Sequence, residues 1–343
     1  VNYLDDGNYW GWQTEHNGWD TSWMDHSRPL PDPGLGRRGG IDLWDKGWYT
    51  IRKANIGLDN LDKLQGTQEE KNLIEGQLLF FRGWYYFQFM QYLGGLPYMS
   101  DPLPVDEQFN QTRLSYQALA DSVAQDFRRA ADLLPIDWDN TAPGARTSGN
   151  NELRINKIMA LGYLGKDLLW AASPLMNGGS DENAGSYSQE YAQRSADAFG
   201  ELLSLVESGE ADYELLPFSE WHMNFYTQGQ NWQLPGGKEA IFRSTYYDAN
   251  GSNWGTSKQY MPTIIGDGSN IFPTANYVEN FGMANGLPID DQGSGYSDSY
   301  PWRDRDPRFY KTFIYDGLQV VQGTMPAGEE QHRHANLYTG GSY

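Results

Sequence analysis

The chain has 343 residues, 13 of them tryptophan and 23 tyrosine, no cysteine, and a formal net charge of −20. Phosphate recognition needs a basic field, so this balance argues against a nucleic-acid partner. Without thiols there is neither a disulfide framework nor a thiolate metal site, and no run of about 18 apolar residues offers a membrane-spanning helix.

Residues 1–47 read as a loop region. Trp10, Trp12, Trp19, Trp23 and Trp44 stand there among Asp, Asn and Gly, and Pro29, Pro31 and Pro33 with Gly34 and Gly36 oppose regular structure. From Trp48 the pattern turns helical, with Ile51, Ala54, Leu58 and Leu61 at three- and four-residue spacing. Thr67-Gln68-Glu69-Glu70 is a capping box that opens the next helix. Its apolar stripe is Ile74, Leu78, Phe81, Tyr85 and Phe89, and Gly94-Gly95 before Pro97 ends it. A second pair follows. Leu119, Val123, Phe127 and Leu134 precede Pro135, and Ile158, Leu161, Leu164 and Leu168 precede Pro174. A fifth helix runs from Glu190 to Glu207 through Ala192, Phe199, Leu202 and Val206.

Residues 48–207 are thus expected to form a scaffold of helical hairpins. Ala160 and Ala171 at the crossing points resemble tetratricopeptide packing, although no regular period is present. After Gly209 the helical stripes vanish, and residues 208–343 are rich in Gly, Pro, Asn, Asp and aromatics. Strand candidates there are Ala240–Tyr246 and Phe309–Tyr315. A segment this long is not a passive connection, and loops held on a rigid scaffold carry function. The predicted fold is mostly α: tetratricopeptide-like hairpins, long irregular aromatic and Gly-rich excursions and a few short strands, in one domain spanning 1–343.

Signals for catalysis are weak. His332-x-His334 lacks a third metal ligand in sequence reach. Asp248-Ala-Asn250-Gly251-Ser252-Asn253 alternates oxygen ligands but lacks the closing Glu of a calcium loop. Asp5/Asp6, Asp25 and Asp290/Asp291 could supply paired carboxylates, yet no context fixes the separation that glycoside hydrolysis needs. Gly34-Leu-Gly36-Arg-Arg-Gly39-Gly40 follows no strand, and no nucleophile elbow appears. The expectation is a binding protein without cofactor or metal. Tryptophan offers a flat apolar face to the C–H side of a pyranose. Trp10, Trp12, Trp19 and Trp23, joined by Trp232 and Trp254 among Asn, Gln, Gly and Ser, are the candidate ligand platforms.

The stretch Glu75-Gly-Gln-Leu-Leu-Phe-Phe-Arg82-Gly-Trp-Tyr-Tyr-Phe through Leu93-Gly94-Gly95-Leu96-Pro97 resembles the signature of the SusD/RagB family. Gly76 and Gly83 stand where that signature usually has Ala, and Leu93 replaces part of its ending. Three further blocks are similar, in the same order: Trp48-Tyr-Thr-Ile-Arg-Lys-Ala-Asn55, Leu169-Trp-Ala-Ala-Ser173-Pro174-Leu-Met-Asn177, and Asn285-Gly286-Leu-Pro288 followed by Arg305-Asp306-Pro307-Arg308-Phe309. These motifs read as structural, with Arg82 pairing to carbonyls or an acid between helices and Asp306-Pro307 suiting a turn.

The resemblance implies a cell-surface, lipid-anchored outer-membrane protein that captures a glycan and delivers it to a SusC-like TonB-dependent transporter. It also implies further N- and C-terminal parts, including the lipidated cysteine, beyond this chain. The acidity favours a neutral glycan. The alternatives are a peptide-binding member of the same family, a helical glycoside hydrolase and a ligand-free α-solenoid scaffold.

Overall fold

The structure, a computed structural model, describes residues 8–9, 43–104, 110–177, 186–222, 224, 238–242, 271–272, 275–325, 327–338 and 341. The chain divides into two compact units, one of residues 33–247 and one of residues 1–32 with 248–343.

Among the described residues, the unit of residues 33–247 holds five α-helices: α1 (Leu43–Asp59), α2 (Gln68–Leu93), α3 (Tyr116–Leu133), α4 (Lys157–Ala172) and α5 (Gln189–Glu207). Each packs on its neighbour in sequence, as in stacked helical hairpins. The expected stripes of α3 and α4 are buried: Leu119, Val123, Phe127, Ile158 and Leu161 are inaccessible to solvent. Side chains of Ser115, Asn156 and Ser188 accept N–H groups of the first turns of α3, α4 and α5, which removes donors that a helix N-terminus leaves unsatisfied. The Thr67–Glu70 capping box forms in both directions, at 3.1 and 2.9 Å.

Two expectations are corrected here. α1 begins at Leu43 rather than Trp48, so Trp44 belongs to the scaffold and not to a loop. Trp44 lies one turn from Trp48, edge-to-face at 5.4 Å, and both rings pack on Phe89 of α2. That tertiary anchor holds a first turn that local pattern alone did not reveal. The α2 stripe is also shifted. Ile74 and Phe81 are exposed, whereas Leu73, Leu79, Phe80, Tyr86, Phe87 and Met90 are buried. α2 packs against α1 and against α3, so it buries two faces and no single stripe describes it.

Arg82 is the hub of this unit. Its Nε and Nη2 donate to both carboxylate oxygens of Asp126 on α3, at 2.8 and 2.6 Å, and Nη1 donates to Asn55 Oδ1 on α1 at 2.9 Å and to the Ser100 carbonyl. Tyr98 Oη also donates to Asp126, and Asn55 Nδ2 donates to the Met99 carbonyl. The expected pairing of Arg82 with an acid or with carbonyls is realised as both at once. Ala240–Phe242 forms no strand. Phe242 instead packs against Phe80, Trp84 and Tyr163, while residues 243–246 lie outside the described residues.

In the other unit, β1 (Asn8–Tyr9) pairs antiparallel with β2 (Ile271–Phe272), and α6 (Ala275–Glu279) follows. The second strand candidate, Phe309–Tyr315, begins instead as one helical turn, α7 (Phe309–Thr312). The Asp306 carboxylate accepts the Arg308 N–H at 2.8 Å, and the Phe309 N–H reaches the Asp306 carbonyl at 2.9 Å. Pro307 has no N–H to lose in such a first turn, so the Asp-Pro pair starts a helix rather than a strand.

Candidate functional site

Trp10, Trp12, Trp19, Trp23, Trp232 and Trp254, like Asp5, Asp6, Asp25 and the Asp248–Asn253 loop, lie outside the described residues. His332 Nε2 faces Glu329 at 3.2 Å and His334 is exposed. No cluster of three metal-ligating side chains occurs among the described residues.

The helical unit has a cavity of about 340 Å³ between α1 and the segment after α2, lined by the apolar Trp44, Trp48, Leu96, Pro97, Met99 and Leu103 and by Arg52, Asn55 and Asp101. The polar groups there are spent on the wall. Arg52 Nη1 donates to the Leu103 carbonyl, and Asn55 Nδ2 donates to Met99 and Asp101 carbonyls. Such a lining suits an apolar group and offers few donors to a hydroxyl-rich ligand.

The other unit presents both kinds of group. Arg305 is only 2 % exposed. It donates to the carbonyls of Gly282, Pro301, Val278 and Phe281, two of them at 2.6 Å, and its guanidinium lies by the Tyr296 and Phe309 rings. Burial without a carboxylate partner pulls its pKa below the usual arginine value. Asn285 Nδ2 donates to the Gly293 and Ser294 carbonyls, Ala284 N–H to the Asp304 carbonyl, and Tyr310 Oη to the Trp302 carbonyl. These bonds stitch residues 282–305 into a fixed loop. Asp304 sits at φ 49°, a left-handed conformation that Asp tolerates better than most residues.

On that loop stands an aromatic shelf. Tyr300 is 47 % exposed and meets the half-buried Trp302 edge-to-face, at 6.5 Å and 87°. The Arg303 guanidinium lies 3.9 Å above the Tyr300 ring. Ser297, Asp298, Ser299 and Asp304 are exposed around it. Sequence reasoning missed Tyr300 and Trp302. The available signal was two aromatics flanking Pro301 and bracketed by Ser-Asp-Ser and Arg-Asp. Of the suggested carboxylates, Asp290 and Asp291 fall in this loop and both are exposed.

A family profile described as "Starch-binding associating with outer membrane" matches residues 14–149, and a profile described as "SusD family" matches residues 238–342. The chain belongs to the SusD/RagB family. Solved SusD-like structures agree in fold. A SusD-like protein from Bacteroides fragilis is 20 % identical, with a TM-score of 0.59 over 81 % of this chain and 50 % of its own. A SusD-like carbohydrate binding protein from the same species is 23 % identical, at TM-score 0.59 over 81 % of this chain and 47 % of its own. The protein BT4246 is 21 % identical, at TM-score 0.63 over 90 % and 59 %. No curated protein matches. The chain therefore spans about half the length of the SusD-like structures first matched. Its mostly helical, tetratricopeptide-like architecture is that of the family, and no described helix is long and apolar enough to cross a membrane.

Proposed function

We propose that this chain captures a glycan at the cell surface, as part of a lipid-anchored outer-membrane protein, and passes it to a SusC-like TonB-dependent transporter without hydrolysing it. The observation that carries the reading is the Tyr300–Trp302 shelf, its Tyr300 exposed and its Trp302 half-buried, on a loop that Arg305 ties through backbone carbonyls. Aromatic faces take the C–H side of a sugar ring, and the surrounding Ser, Asp and Arg side chains take its hydroxyls. The family profiles and the description of one similar structure as a carbohydrate binding protein support the same class. The exposed carboxylates near the shelf lack the enclosed setting in which a glycosidase raises one acid above its partner.

The test is a panel of neutral and acidic oligosaccharides titrated by calorimetry, with product analysis after long incubation. The expected result is binding that Trp302→Ala weakens, with intact chains recovered. New reducing ends above the buffer rate, or no binding by any glycan, would overturn the reading. Co-purification with a barrel transporter from outer membranes tests the partner.

A further inference from the structure

Among the described arginines, Arg82, Arg128, Arg129, Arg194, Arg308 and Arg333 meet a carboxylate. Arg52, Arg113, Arg154 and Arg305 instead spend N–H groups on carbonyls or a hydroxyl. Arg303 forms no ion pair with any described residue, yet it is exposed and held against Tyr300 at 3.9 Å. The geometry comes from the backbone. The Arg303 N–H donates to the Tyr300 carbonyl at 3.0 Å, and Pro301 and Trp302 are pinned through their carbonyls by Arg305 and Tyr310. A guanidinium resting on an aromatic face keeps its N–H edges free in the plane of the group, the arrangement that grips a carboxylate with two parallel bonds.

We propose that the shelf takes a carboxylated sugar, a uronate whose ring lies against the Tyr300–Trp302 pair while Arg303 holds its carboxylate. This rests on the glycan-binding reading and names the sugar class within it. It also replaces the neutral ligand suggested by overall acidity. Net charge acts at long range and is screened within about 8 Å at physiological salt, whereas a bidentate contact is made at hydrogen-bond distance. Asp298 and Asp304 flank the site in sequence, but neither lies within ion-pairing distance of Arg303. An exposed carboxylate farther off acts through water and opposes the contact only weakly.

The experiment titrates the full chain with an oligogalacturonide and a neutral galactan oligosaccharide of equal length, using the parent, Arg303→Gln, Arg303→Lys and Trp302→Ala. Arg303 is exposed, so its variants fold as the parent does. The expected result is that R303Q loses roughly ten-fold or more in uronate affinity and R303K part of it. R303Q should weaken any neutral binding far less than uronate binding and flatten the salt dependence of uronate binding, and W302A should weaken uronate binding too. Uronate binding indifferent to R303Q overturns the proposal. Binding of the neutral chain alone overturns it while leaving the glycan reading intact, and binding of no glycan overturns both.

Discussion

Asp167 allows a quantitative prediction. It lies on α4, is fully inaccessible to solvent, and neither carboxyl oxygen has a hydrogen-bond partner. The Tyr116 hydroxyl on α3 is likewise buried and unpartnered. The available cation is engaged elsewhere: Arg194 on α5 donates to Asp121 at 2.7 Å, and Tyr191 Oη donates to the same carboxylate at 3.0 Å. Burial therefore pushes the Asp167 carboxyl well above the ordinary aspartate value, and the Asp121 charge adds to the rise. The sign follows from proton linkage. The folded state holds this proton more tightly than the unfolded chain, so stability from this group is complete below the unfolded pKa near 3.9. It falls as pH rises towards the folded pKa, and levels off beyond it. Within that window each pH unit removes about 1.4 kcal/mol, or roughly 0.5 M from a urea midpoint at a typical denaturant slope. Asp167→Asn cannot lose a proton. Its midpoint, followed by tryptophan fluorescence of the helical unit, should fall less than the parent's from pH 5 to pH 8, so that the parent loses stability relative to it. Parallel midpoints for parent and variant across that range would refute the reasoning.

Other perturbations follow from the same contacts. Asp126→Ala leaves the Arg82 guanidinium buried and unpaired, and should cost about 3–5 kcal/mol in denaturant midpoint measurements. Thr67→Ala removes one half of the α2 capping box and should cost about 1 kcal/mol, with faster amide exchange confined to the first turn of α2. Gly95→Ala would place a Cβ onto the Leu114 carbonyl oxygen, so thermal stability should drop although the residue sits in a connection. Trp302→Ala should reduce affinity for the best-binding oligosaccharide about thirty-fold, as loss of a roughly 2 kcal/mol aromatic contact does, with circular dichroism unchanged.

How far the fold can be read from sequence depends on how many neighbours each helix has. α3 and α4 bury the residues that three- and four-residue spacing selects, because apolar periodicity reports a dominant buried face. α2 fails that test because α1 and α3 take different faces of it, so Leu73, Phe80 and Phe87 are buried outside the chosen stripe. The start of α1 was hidden for a related reason. Nothing near Trp44 in sequence marks it as helical, and only its packing on Trp48 and Phe89 shows that it is part of the scaffold. Asp306-Pro307 was legible as a turn; that this turn runs on into the helical Phe309–Thr312 rather than into a strand was not.

The site was harder to read because its decisive residue carries no signal of exposure or burial. Two arginines organise the two units, and sequence alone gives them the same weight. Arg82 meets Asp126, and its charge is neutralised by a bidentate carboxylate inside a helical core. Arg305 meets only backbone carbonyls, which satisfy its donors and leave its charge in place. The first arrangement ties helices together. The second fixes the course of a loop, which is what an exposed binding shelf requires, since a ring must be held rigid before its stacking adds affinity. The Arg-Asp-Pro-Arg block reads as purely structural, and for Arg305 it is. In the proposed reading its consequence for function lies in the five residues before it, where Tyr300, Trp302 and Arg303 are displayed on a turn whose Pro301 carbonyl Arg305 holds.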